Sequence, residues 1–327
     1  EDVEPESPPA ATAKAPSVAA PARAPAPTPA AKPALPKREV PEAAAGRFEV
    51  REPVEPVAAS LELLAAGDEP RRAITVAAKR GDRVVLRIGL AMDVAMKIGT
   101  SEVPKTTLPR VEVDLAAEVV KVADDGIEID LRVADVRTTE TEGTSERVRA
   151  AVQQTVAGLR ASTGTLVLSP DGRVQSIVMS AGGDAIESRA AGLDHALVEL
   201  LPAWPREPVG IGARWRIVQP VVRGGVTLQR TSELELVART DDAIEVAIES
   251  THVAARGGDA AAGATKIEAQ SGEGHGRIVA SPHEVLPRSG EMATRTTTRA
   301  SFAAAAEGVW VEIDLASSLA RADMRRP

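Results

Sequence analysis

Glu273 and His275 stand two residues apart in the glycine-rich run SGEGHG (271–276), and His283 follows eight residues later. Imidazoles and carboxylates are ligand types that zinc accepts. A metal site also needs neighbouring groups that hold its ligands in place. Here the two histidines flank a Ser281-Pro282 turn, so they read as exposed hairpin histidines. His195 follows Asp194, but adjacent positions on a helix do not face one another. His252 has no partner in its stretch of sequence. The acidic pairs Asp124-Asp125 and Asp241-Asp242 could suggest acid/base or calcium chemistry. Neither is followed by the alternating acidic ligands of a calcium loop, and adjacent Asp residues serve hairpin turns for backbone reasons. VGIGARW (209–215) contains a GxG, yet it lacks the third glycine and the following helix of a dinucleotide loop. It reads as a turn into a strand anchored by Trp215. The chain has no G-x-S-x-G elbow, P-loop, H-E-x-x-H or EF-hand pattern. No catalytic, cofactor-binding or metal-ligating residue is therefore assigned, no cofactor is expected, and the chain is not expected to be an enzyme.

Composition narrows the partners. The 327 residues carry a net charge of −8, which argues against a nucleic-acid backbone as partner. Three Trp, two Phe and no Tyr leave the core to Val, Ile, Leu and Ala and weaken any reading that needs stacking platforms. The absence of Cys removes disulfides, thiolate catalysis and cysteine-bound metals. No stretch approaches the roughly 18 apolar residues of a membrane span. Residues 1–48 form a Pro/Ala-rich leader, with 11 of the 24 prolines before residue 46. Such a stretch cannot bury enough apolar surface to offset its ordering entropy. Extended, it reaches on the order of 100 Å, as a spacer from a lipid anchor upstream of Glu1 would.

The elements that would position any site are mostly strands. Leu86, Ile88, Leu90, Met92, Val94, Met96 and Ile98 alternate with polar or small residues over 13 positions, the period of a half-buried strand. A loop with Pro104 and Pro109 follows. A second strand then begins at Val111, turns at the Asp-Gly of 125–126 and returns through Ile127, Ile129 and Leu131. Val148, Val152, Val156 and Leu159 recur at helical spacing behind Thr144 or Ser145 as cap. A hairpin turns at Ser169-Pro170-Asp171-Gly172. A second helix fits 185–201, with Asp184 and Glu187 as a capping box, a stripe of Ile186, Leu193, Leu197, Leu200 and Leu201, and Pro202 as its stop. TRTTTRASF (294–302) has strand composition.

The β pattern then repeats. GARWRI (212–217) echoes GDRVVLRI (81–88), SELELVARTDDAIEVAIES (232–250) echoes AAEVVKVADDGIEIDLRV, and GRIVASPHEVL (276–286) echoes GTLVLSPDGRV (164–174). The middle echo has an offset of 117 residues and the last an offset of 112. The expected fold is mainly β (α+β): two similar antiparallel units form a curved sheet or barrel-like shell, with two helices from the middle of the chain packed on it. The first β unit with one helix covers 49–183. A linking helix and the second β unit cover 184–327, and the two form one composite domain, 49–327, because neither half-covered unit closes its apolar face alone.

Several segments, namely LELLAAGDEPRRAITVAAKRGDRVVLRIGLAMDVAMKI (61–98), EVVKVADDGIEI (118–129), the LSPDGRV turn and LPAWPREPVGIGARWRI (201–217), resemble an uncharacterised family of predicted bacterial envelope proteins, often described as lipoproteins. The resemblance covers roughly 55–320, and E-P-V-G-x-G-x-x-W is its most distinctive piece. It implies a β-rich protein that is periplasmic, outer-membrane-associated or secreted, and it supplies no catalytic residues. The chain departs from it in having no N-terminal Cys to carry a lipid. The expected function is that of a non-catalytic envelope protein, binding or structural, whose shell holds a filled core or an apolar ligand or lipid. A hydrolase with carboxylates or His gathered by the fold, and a subunit docking to an envelope protein partner through a sheet edge, are the competing expectations.

Overall fold

The computed structural model describes residues 50–322 apart from 56, 142–143, 161, 181–190, 224–225, 256–260, 263–264 and 303–307. The leader and the predicted Asp184–Glu187 capping box lie outside the described residues. In chain order the elements are β1 (Ser60–Ala65), β2 (Arg83–Ile98), β3 (Ser101–Thr107), β4 (Arg110–Ala123), β5 (Gly126–Thr139), α1 (Glu146–Leu159), β6 (Thr163–Leu168) and β7 (Val174–Ser180). They continue with α2 (Ala191–Leu200), β8 (Arg214–Arg223), β9 (Val226–Arg239), β10 (Ile244–Ala254), β11 (Ala261–Ala262), β12 (Thr265–Ala280), β13 (Ser289–Phe302) and β14 (Val309–Ala322).

Alternation decides the strands. On β2, Leu86 and Ile88 are fully buried while Arg87 between them is exposed, and Ile127, Ile129, Leu131 and Val133 repeat the pattern on β5. All strands join one antiparallel sheet in the order β1-β8-β9-β10-β12-β13-β14-β2-β4-β5-β6-β7, with β3 beside β2 and β11 beside β12. The order has two ends, so the sheet is not closed. It is curved, however: one buried cluster gathers Leu168 and Ile177 near one end of the order, Leu63 and Trp215 near the other, and Leu86, Leu319 and Met292 between them. A flat sheet cannot bring its two ends to one core. Across the gap runs the segment 201–205, whose Trp204 N–H donates to Asp171 O (2.8 Å) and whose Ala203 O accepts from Trp215 Nε1 (2.9 Å).

The sequence echoes coincide with echoes of register. β2-β4-β5-β6-β7 and β8-β9-β10-β12-β13 are two meanders with the same pairing order. Val119 faces Ile129 and Leu236 faces Val246; Ile127 faces Leu168 and Ile244 faces Ala280. Both meanders carry a bulge at the same place, with Val120 and Val237 skipped in the ladder. Both first strands begin after a glycine at positive φ, Gly81 (+90°) and Gly212 (+78°), whose N–H donates to Val119 O and Leu236 O at 2.8 Å. Between the meanders, β14 pairs along nearly the whole of β2.

One expectation changes. The stretch holding Pro104 is not a loop but the strand β3. It pairs only with β2, and an edge strand tolerates a missing N–H. β1, which precedes the first meander in sequence, pairs with β8 of the second. The described residues of each helix lie where the pattern put them, while 185–190 of the helix expected over 185–201 lie outside the described residues. Ser145 Oγ accepts from Val148 N–H to cap α1, which turns Val156 and Leu159 into the core. α2 is buried on several sides through Leu193, Ala196, Leu197, Val198, Glu199 and Leu200, as a helix inside a core must be.

Candidate functional site

α2 carries two polar side chains into that interior. His195 and Glu199 are four residues apart and so share one face. Opposite them, the inner face of the second meander is built by strand parity: Arg230 and Ser232 on β9, Ser250 and His252 on β10, Thr294 and Thr296 on β13, all buried. Glu199 Oε1 lies 3.6 Å from His195 Nε2 and 3.7 Å from Arg230 Nε, and Glu199 Oε2 accepts from Thr294 Oγ1 (3.1 Å). Arg230 Nη1 donates to Val198 O on α2 (2.9 Å), and His252 Nε2 meets Thr296 Oγ1 (3.1 Å). The His195 and His252 rings stand edge to face with centroids 6.5 Å apart. Gly272 makes room for this network, since a Cβ there would lie 2.4 Å from the His252 ring.

Burying these charges costs free energy that pairing must offset. The pairing is incomplete within the protein: Glu199 Oε1 and Arg230 Nε make no hydrogen bond to protein atoms. A cavity of about 20 Å³ lies beside them, bounded also by Arg173, Gln219 and Ser232. Its size suits one water molecule, which has the polar partners it requires there. At the edge of the cavity, Arg173 pairs with Asp171 (3.0 Å). Burial pushes the Asp171 carboxyl up, but hydrogen bonds from Arg173 and Ser169 outweigh it and hold the group below the usual carboxylate range. What the arrangement offers chemically is a packed titratable network, one carboxylate shared by a guanidinium and an imidazole, with a second imidazole close by.

Sequence reasoning did not assemble this network. It set His195 beside Asp194, although the spacing that matters is to Glu199. The available signal was parity: Arg230 and His252 fall on the same face of their strands as Leu234, Leu236, Ile244 and Val246. The residues weighed for metal binding do not converge. Glu273 and His275 are exposed on β12, and His283 is exposed in the connection to β13. Among the described residues no group of three or more His, Asp or Glu could hold a metal ion. Asp124-Asp125 and Asp241-Asp242 sit at exposed hairpin ends, Asp241 paired with Arg72 at 3.0 Å. Ile211 and Gly212 form the turn before β8, and Trp215 is fully buried against Trp204. No helix among the described residues is long and apolar enough to cross a membrane.

No protein-family model and no curated protein sequence matches this chain. Among solved structures it is similar to a lipovitellin structure described by its lipid–protein interactions, at 12% identity and a TM-score of 0.41, over 75% of this chain and 25% of that one. This chain thus spans about a quarter of the length of the lipovitellin chain. It is also similar to a putative exported protein with a YmcC-like fold from Bacteroides fragilis, at 9% identity and a TM-score of 0.22, over 74% of this chain and 98% of that one. A third likeness is to a loop-deleted form of OmpT, an outer membrane protein of Vibrio cholerae, at 7% identity and a TM-score of 0.17, over 73% of this chain and 99% of that one. At these scores the likenesses carry no conclusion about this chain.

Proposed function

We propose that this chain is a non-catalytic binding protein of a bacterial envelope, secreted or periplasmic, that seats an apolar ligand or lipid against the inner face of its curved sheet. The observation that carries the reading is where the core stops. Met92, Val94 and Met96 on β2 continue the face of Leu86 and Ile88, and Leu315, Ile313 and Val311 on β14 lie directly across from them. Met92, Val94, Met96, Ile313 and Val311 are only half-buried and belong to neither buried cluster. An apolar wall of this kind, continuous with a packed core, suits an acyl chain or another extended apolar group. The shared registers support reading the chain as two related β units folded around one interior.

The test is displacement of a fluorescent fatty acid from the intact protein, with native mass spectrometry as a second measure of occupancy. Binding should weaken at least tenfold in Val94→Asp and in Ile313→Asp, whereas Val178→Asp, at an exposed site on β7, should leave it unchanged. A protein that binds no apolar probe under any of these conditions rejects the reading. A second reading, docking to an envelope partner, is favoured by the end strand β7, whose sequence VQSIVMS has none of the charges or prolines that blunt an open edge. Co-purification of a partner from a membrane fraction, abolished by Val178→Lys but not by Val94→Asp, would distinguish it.

A further inference from the structure

We propose that Gln270 holds the head of the bound chain, so that the ligand is a single-chain lipid ending in an uncharged hydrogen-bond donor, a hydroxyl or an amide N–H. This deepens the apolar-ligand reading and rests on it. The placement follows from strand pairing. On β12, Gly272 lies directly across from His252, whose ring stands against that of His195 on α2, so Gly272 is on the inner face. Gln270, the next residue of the same parity, shares that face. From it a row runs across the sheet. Gln270 pairs with Thr298 on β13, Thr298 with Val311 on β14, Val311 with Met96 on β2, and Met96 with Val103 on β3. Residues directly opposite one another in antiparallel strands share a face, so Gln270 stands in line with the apolar wall.

The row opens stepwise from its polar end. Gln270 is 6% exposed, Thr298, Val311 and Met96 are half-buried, and Val103 is 43% exposed. Three inter-strand steps, on the order of 14 Å, separate Gln270 from Met96. An acyl chain laid across β13, β14 and β2 covers that span. At the inner end, Gln270 Oε1 is buried and accepts no hydrogen bond. Leaving a buried acceptor unpaired is costly, and such groups are uncommon unless water or a ligand completes them. A side-chain amide oxygen only accepts, so its missing partner is a donor. An ionised carboxylate or an ester presents acceptors alone and leaves Oε1 unpaired. A hydroxyl or an amide N–H supplies the proton, and the wall beyond holds the tail.

Competition against the fluorescent fatty acid on the intact protein tests the assignment with two uncharged probes of one chain length, 1-dodecanol and methyl dodecanoate. In the natural chain the alcohol should displace at about tenfold lower concentration than the ester, the order expected for one hydrogen bond to a buried group. In Gln270→Leu and in Gln270→Met the two probes should displace at equal concentrations. Neither replacement removes apolar surface, so both variants should keep the natural chain's affinity for the ester. Equal displacement by the two probes in the natural chain, as when a water molecule completes Gln270, overturns the assignment and leaves the apolar-ligand reading standing. A preference for the alcohol that persists in both variants also overturns it, because the head is then held elsewhere. A protein that binds none of the probes overturns both.

Discussion

The two meanders differ less in backbone than in what their inner faces carry. Pair for pair, Val113 and Val136 of the first correspond to Arg230 and His252 of the second, and Leu115 and Val133 correspond to Ser232 and Ser250. All eight side chains are buried. Ile88, across from Val113, corresponds to Gln219 across from Arg230. The bulge at Val120 and Val237 and the leading glycine are thus indifferent to whether a wall is aliphatic or charged, because they are set by turn geometry and by which residues alternate, whereas the aliphatic wall alone has a second bulge, at Ala134, between the pairs compared. The content of the wall follows its neighbour. The second meander faces Glu199 and His195, and polar groups on one side of a buried contact need polar groups on the other.

The largest expected effect breaks the polar wall at one point. Arg230→Met leaves Glu199 without its guanidinium and should lower stability by about 3–5 kcal/mol in urea unfolding. Copying the first wall into the second sharpens the comparison. His195→Leu, Glu199→Leu, Arg230→Val, Ser232→Leu, Ser250→Val and His252→Val together should be neutral or stabilising by about 1–4 kcal/mol, as well-packed replacements of buried ion pairs often are. A combined variant as damaged as Arg230→Met alone would show that the network itself specifies where α2 sits.

A smaller effect tests whether the glycine turns that lead into β2 and β8 are equivalent. A Cβ at Gly81 or at Gly212 would meet nothing within 4 Å, so only the positive φ penalises a side chain. Gly81→Ala and Gly212→Ala should each cost about 1–2 kcal/mol, with equal shifts of the urea midpoint. A clear difference between the shifts would break that equivalence.

The smallest effect belongs to the outer face of the first meander. Hydrogen bonds from Arg87 and Arg137 hold the Asp114 carboxyl below the usual carboxylate range despite partial burial. As pH falls the unfolded chain takes up that proton first. The contribution is therefore present above the ordinary Asp value of about 3.9 and is lost as pH falls through the lower folded value. Thr231 stands at the counterpart position in the second meander. Asp114→Asn should flatten the acid limb of the stability–pH curve slightly, while Thr231→Val should leave its shape unchanged.

Much of the fold was legible because it is local. The period-2 run of 86–98, the Asp-Gly turn before Ile127, the Ser145 cap and the hairpin at 169–172 each depend on residues a few positions apart. Pro104 misled because proline excludes a central strand but not an edge, and edge status is not a local property. The network at α2 was illegible for a similar reason. Glu199 and Thr294 are 95 residues apart, and His252 and Thr296 are 44 apart. Each looked like an isolated polar residue until α2 was placed against the wall.

By itself the sequence did not mark β1, β3 or β14, but it determined the strand of 86–98, those flanking the turns at 125–126 and 169–172, which face of each is apolar, and that one pattern occurs twice. These follow from side-chain alternation and backbone preferences that act within a few residues. The tertiary structure alone decided that β14 joins β2, that β1 crosses to β8, and that α2 fills the interior beside the charged wall. Those choices depend on burying faces far apart along the chain and on satisfying charges once water is excluded, and neither can be read from neighbouring residues.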